Sequence, residues 1–149
     1  QIIFPLVGVN IMKHLFLTAS ILATCLASAA HAGVIENRKA KFKENVAILR
    51  AIQTQIGEGD FEAIAAGGSN IADWATKMPD FFPKGSESAG TIDTIWLDFD
   101  DFRSKAAANR QAALQLEQAA GTEDTGQIMA AVQNLSGTCK SCHRSFKSY

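Results

Sequence analysis

Apolar residues recur at three- and four-residue spacing through most of the chain after residue 33, the signature of amphipathic helices. The spacing predicts a first helix over residues 34–56, with Ile35, Phe42, Val46, Leu49, Ile52 and Ile56 on one face. Gly57-Glu58-Gly59 ends it, and Asp60 is a fair N-cap for the next. That second helix carries Phe61, Ile64, Ile71, Ala75 and Met78 on one side and is closed by Pro79. Gly67-Gly68 weakens its middle or lets another element approach closely. Residues 79–90 hold two Pro and two Gly and read as the longest loop. A third helix is expected from Thr91 or Asp93 to about Ala120. Ile92, Ile95, Trp96, Phe99, Phe102, Ala106, Ala113 and Leu116 mark its buried side. Gly121 ends it. A fourth helix then runs through Ile128, Ala131, Val132 and Leu135 to about Lys147, with Glu123-Asp124 at its N-terminus and Gly137 as a local weakness.

No alternating β-branched run of useful length occurs, so strands are not expected. Four helices joined by short loops specify an all-α fold, an antiparallel up-down-up-down four-helix bundle. Such bundles place cofactors in the core between facing helices.

The N-terminal stretch reads differently. Met12-Lys13-His14 is a short basic start, residues 15–26 are apolar and small, and Ala30-His31-Ala32 is an A-x-A cleavage pattern. Residues 12–32 are therefore expected to be a signal peptide and 33–149 the mature bundle. The apolar run is short for a membrane span, which needs about 20 residues. Residues 1–11 lie upstream of a plausible initiator Met and read as a start site placed too early. Cys25 follows Leu22-Ala23-Thr24, a poor lipoprotein box, and is expected to be discarded.

Composition matters mainly through what this cleavage leaves. The chain has 149 residues, 3 Cys, 3 His and a formal net charge of −1. Removing residues 1–32 leaves 117 residues and takes away Lys13, which moves the charge to −2. A balance so close to neutral argues against nucleic-acid binding. The surviving cysteines are Cys139 and Cys142, the surviving histidine is His143, and all lie in one pentapeptide. Export implies an oxidising compartment, the periplasm, where two free thiols need a reason to exist.

Cys139-Lys140-Ser141-Cys142-His143 is C-x-x-C-H, the attachment pattern of a c-type haem. Thiols three residues apart lie on one side of a helical turn, and each can add to a vinyl group to form a thioether. His143 then offers a neutral imidazole to the iron from the same side. A zinc site lacks a fourth ligand, and a thioredoxin-like pair lacks its βαβ context. A plain disulfide is the remaining alternative. One covalent haem c per chain, in the core of the bundle, is the expected cofactor.

The other face of the iron decides the function. The mature chain has no second His, and its methionines are Met78 and Met129. Met129 lies 14 residues before His143, about 21 Å away along the same helix, and cannot reach the opposite face. Met78 reads more simply as a core or capping residue. Elimination favours five-coordinate iron, a state suited to small diatomic ligands. No residue set suggests general acid–base catalysis, so an enzyme is not expected.

These residues resemble the cytochrome c′ family, the class II c-type cytochromes. The resemblance covers residues 33–149. It rests on the C-terminal Cys-Lys-Ser-Cys-His, on Arg38 followed four residues later by Phe42, on Phe82-Pro83-Lys84-Gly85-Ser86, and on Ile95-Trp96. It implies a four-helix bundle, usually a homodimer packed through its first helices, with high-spin haem. The family position matching Phe42 is Met in the six-coordinate branch and Leu, Phe or another bulky residue in the five-coordinate branch. Phe has no lone pair for iron, so Phe42 implies the second branch. Without the resemblance it would read as an ordinary core aromatic.

Arg38 is implied to pair with a haem propionate, where alone it would read as a solvated surface side chain. Lys147 stands four residues after His143, where the family more often has Arg. Trp96 either lines the haem pocket or packs in the core. The function implied is binding of nitric oxide and carbon monoxide, with redox partner proteins for possible electron shuttling and no membrane association after cleavage. The alternative is a six-coordinate electron carrier of the c-556 type.

Overall fold

The computed structural model describes residues 8–148, with side chains from Gly33 to Ser148. The expected leader, 12–32 with Cys25, and the residues before it lie outside those whose side chains are described. The chain divides into two units, Gln1–Gly33 and Val34–Tyr149, and the second is the bundle. The long helices are α1 (Gly8–Glu58), α2 (Phe61–Lys77), α4 (Phe99–Ala120) and α5 (Thr125–Phe146), with a one-turn α3 (Thr94–Leu97) before α4. Among the described residues there is no strand. The fold is the expected all-α four-helix bundle. No described helix is long and apolar enough to cross a membrane.

Aspartates start three of the helices. Asp60 accepts from Ala63 N at 3.0 Å, Asp98 from Asp101 N at 3.1 Å and Asp124 from Gln127 N at 3.0 Å. Each cap satisfies an orphan N–H and is worth about 1 kcal/mol. Gly59, at φ 72°, makes the reversal between α1 and α2, a conformation that favours glycine.

The third helix departs from expectation. It is not continuous from Thr91 or Asp93 to Ala120 but breaks at Asp98, whose backbone sits at φ −131°, ψ 64°. The carboxylate takes the Asp101 N–H and so starts α4 afresh, a local competition that apolar spacing does not reveal. Pro79 does not end α2 abruptly either: the chain tightens into a 3-10 turn, Met78–Phe81.

The core has two parts of different chemistry. One is aliphatic and built of residues such as Ile52, Ile64, Ile71, Leu116, Ile128 and Leu135. The other is aromatic, with Trp74, Phe82, Phe102 and Phe146 buried and Phe42, Phe81, Trp96 and Phe99 packed against them. Val46, expected on the buried face of the first helix, is 46% exposed because that face opens onto a cavity rather than onto a partner helix.

The Gly67-Gly68 pair is where helices meet. A Cβ on Gly68 would stand 2.8 Å from Glu117 N and 2.9 Å from Ala113 O, so the α2 and α4 backbones nearly touch there. Gly68→Ala is expected to lower stability by about 1–3 kcal/mol, because rigid backbone cannot yield and overpacking outweighs the better helix propensity of Ala. Thermal unfolding checks it; an unchanged or higher midpoint would contradict the close approach.

Candidate functional site

A cavity of about 730 Å³ opens beside the aromatic part of the core. Its walls come from α1, from the stretch between Met78 and Ile95, which runs into α3, and from α4 and α5. Cys139, Cys142 and His143 line it together, because three- and four-residue spacing puts them on one side of α5. Phe82, Ile95, Phe102 and Phe146 supply an apolar interior.

Both cysteines are free. Burial pushes the Cys139 thiol up despite hydrogen bonds from its surroundings, and pushes Cys142 up to about 11. At neutral pH they are thiols rather than thiolates, and a thiol can add to an alkene. Burial lowers the His143 pKa, and the charge of Lys147 lowers it further. The imidazole is thereby held neutral, the form that ligates a metal. Lys147 also lines the cavity, and its backbone N–H closes the last turn of α5 on His143 O at 3.1 Å.

Arg38 is only 2% exposed, which overturns the solvated surface reading of that residue. Its Nη1 donates to Ser86 Oγ at 2.9 Å and Phe81 O at 3.2 Å, and its Nη2 to Ser86 O at 2.6 Å and Ser88 Oγ at 3.1 Å. The guanidinium also lies 4.3 Å above the Phe82 ring. Among the described residues no carboxylate pairs with it within 4 Å. A buried guanidinium without a contacting carboxylate is costly: burial lowers its pKa, and the charge of Glu87 offsets part of that. Four hydrogen bonds tie the guanidinium to the loop, and Arg38 also lines the cavity.

Trp96 does not line the cavity. Its indole N–H donates to Phe82 O at 3.0 Å and Pro83 O at 3.2 Å, so it fastens the loop from behind. The structure thus corrects the pocket-lining alternative for this residue: its polar edge is taken by loop carbonyls and its ring packs in the core. Phe42 does line the cavity. So does Met78, 5% exposed, whereas Met129 is 37% exposed and lies away from it.

Two residues escape sequence reasoning. Asn109, 6% exposed, donates through Nδ2 to Thr138 Oγ1 at 2.9 Å and to Cys139 Sγ at 3.5 Å. Its signal was an amide set in the apolar stripe between Ala106 and Ala113. Trp74 stands behind Phe42, its ring edge-on at 5.5 Å and 87°. Helical spacing marked its neighbours but not its contact.

Charge completes the picture. Arg38, Lys39, Lys43, Arg50, Lys105 and Lys147 line the cavity, and among the described residues no acidic side chain does. Lys39 pairs with Glu36 at 2.9 Å and Lys105 with Asp101 at 3.7 Å. An apolar slot with a cationic rim, two thiols and a neutral imidazole fits a flat, amphiphilic dianion bearing vinyl groups and a metal. Haem has that chemistry.

Comparison with known proteins agrees. The family model described as Cytochrome C' matches residues 33–147. Cytochrome c' of Rhodospirillum rubrum is 33% identical over 147 residues, covering 92% of this chain and 99% of its own. Cytochrome c-556 of Agrobacterium tumefaciens is 33% identical over 120 residues, covering 78% and 98%. Among solved structures, a nitric oxide complex of a mutant cytochrome c prime from Alcaligenes xylosoxidans superposes with a TM-score of 0.71 at 19% identity, covering 80% of this chain and 96% of that one. At that identity the likeness is one of fold.

Proposed function

The chain belongs to the cytochrome c′ family, and we propose that it is a periplasmic gas-binding haem protein with five-coordinate iron. Cys139 and Cys142 hold the porphyrin by thioethers, and His143 is the protein's ligand to the iron. Bound haem c supplies a centre that takes diatomic gases and exchanges one electron. The remaining roles belong to the chain. Arg38 and the cationic rim, Lys147 included, receive the propionates. The aromatic core excludes water. Phe42 walls the open side and offers no lone pair.

The observation that carries the reading is Phe42 at the cavity wall, one turn after Arg38, where an iron ligand would need a sulfur or nitrogen. The nitric oxide complex of the Alcaligenes xylosoxidans relative supports that gas as a ligand. The leader expected at 12–32 supports the periplasm. Homodimerisation through α1 and contact with redox partner proteins are part of the same proposal.

A second reading has its own observation. Met78 is buried and lines the same cavity, and one relative is a cytochrome c-556. Met78 as a sixth ligand would make the protein an electron carrier. Absorption spectra of the reduced holoprotein, with and without carbon monoxide or nitric oxide, separate the two. The proposal expects a high-spin spectrum that both gases shift. A sharp low-spin spectrum unmoved by carbon monoxide establishes the second reading.

A further inference from the structure

Trp74 is 4% exposed on α2 and does not line the cavity. Phe42, which does, meets it edge-on with ring centroids 5.5 Å apart. Phe81 meets it from another direction at 5.0 Å and 65°, and Phe81 O accepts from Arg38 at 3.2 Å. The indole therefore stands behind the cavity wall and joins it to the clamped loop.

Packing alone is a weak reason for a tryptophan here. Its Nε1 is buried without a hydrogen-bond partner, the one such side-chain atom among the described residues. An orphaned donor destabilises the fold, and Leu or Phe would fill apolar space without one. What the larger indole adds is reach, from Phe42 to Phe81.

We propose that Trp74 is a positioning residue that sets ligand size selectivity, by limiting how far the Phe42 ring yields when a ligand enters. Interiors packed to crystal density do not deform freely, so Phe42 can retreat only if Trp74 moves, and Trp74 is held by Phe81 in turn. Diatomic gases need a small displacement. Longer rod-shaped ligands that bind ferrous iron, such as alkyl isocyanides, need a large one. The inference rests on Phe42 facing the ligand position.

The experiment measures association rates of carbon monoxide and n-butyl isocyanide with the ferrous holoprotein by stopped flow. Trp74→Leu is expected to speed the isocyanide about tenfold and carbon monoxide much less, on the scale of one aromatic pair. Trp74→Phe keeps a smaller ring, folds without the orphaned donor, and is expected to give about a threefold gain. If the Leu variant does not fold, the Phe variant decides alone. Phe42→Ala should accelerate both ligands by itself, and adding Trp74→Leu to it should change nothing further. A purely structural role would leave the isocyanide-to-carbon-monoxide ratio unmoved. The proposal is overturned by unchanged ratios in both Trp74 variants, or by an equal gain in the Phe42→Ala background. No effect of Phe42→Ala overturns the underlying placement of Phe42, and the proposal with it.

Discussion

Phe42→Met should convert the protein from five-coordinate, high-spin to six-coordinate, low-spin haem. The position lines the cavity that His143 also lines, so a side chain there faces the same bound group. Phenylalanine has no lone pair to give, whereas the methionine thioether does, and its unbranched chain can search for the iron. Met is also the better helix former, so α1 should be undisturbed. The lost edge-on contact with Trp74 costs about 0.5–1.5 kcal/mol, small beside a new coordination bond. Ferric and ferrous spectra read the change directly. Carbon monoxide must then displace the thioether, so its association should slow sharply, and Met/His ligation should raise the reduction potential. A variant that stays high-spin and keeps its carbon monoxide rate would place Phe42 off the ligand face.

The same pair of residues shows how far the sequence could be read. The bundle was legible because helical periodicity is local: Ile64, Ile71, Ile128 and Leu135 were assigned to buried faces and are buried. The pentapeptide ending at His143 was legible because its chemistry requires one fixed spacing, and α5 keeps it. Gly67-Gly68 read as either a weakened helix middle or a close approach, and the α4 backbone against Gly68 makes it the second. What escaped was non-local or competitive. Asp98 breaks the third helix by choosing one backbone N–H over another, a contest that residue type alone does not decide. Trp96 was expected either to line the haem pocket or to pack in the core, but its N–H goes to loop carbonyls 13 and 14 residues back. Trp74 carried no motif, and its meaning appears only once Phe42 is seen to be a wall. The buried state of Arg38 depends on acceptors 43 to 50 residues away, beyond any helical pattern.

Arg38→Ala should therefore have the largest effect on stability, and the reason is the loop rather than the helix that carries the residue. The substitution removes four hydrogen bonds at once and strips Ser86, itself fully buried, of the donors to its Oγ and carbonyl. Hydrogen bonds from a charged group are worth about 1.5–3 kcal/mol each before non-additivity, and a buried acceptor left unpaired adds a penalty. Contact with the Phe82 ring adds about 0.5–2 kcal/mol. The original cost of burying a guanidinium with no carboxylate in contact offsets part of this, so a net loss of about 2–4 kcal/mol is expected, enough to lower the melting point by roughly 10 °C or more. Amide hydrogen exchange should quicken across residues 81–91, while α4 and α5 keep their protection. Arg38→Lys should not rescue, because one ammonium cannot reach acceptors on Phe81, Ser86 and Ser88 together. An unchanged melting point with unchanged exchange in the loop would show that Trp96 alone holds it. Loss of the clamp would also free Phe81, and through it Trp74, so n-butyl isocyanide association should speed up more than that of carbon monoxide.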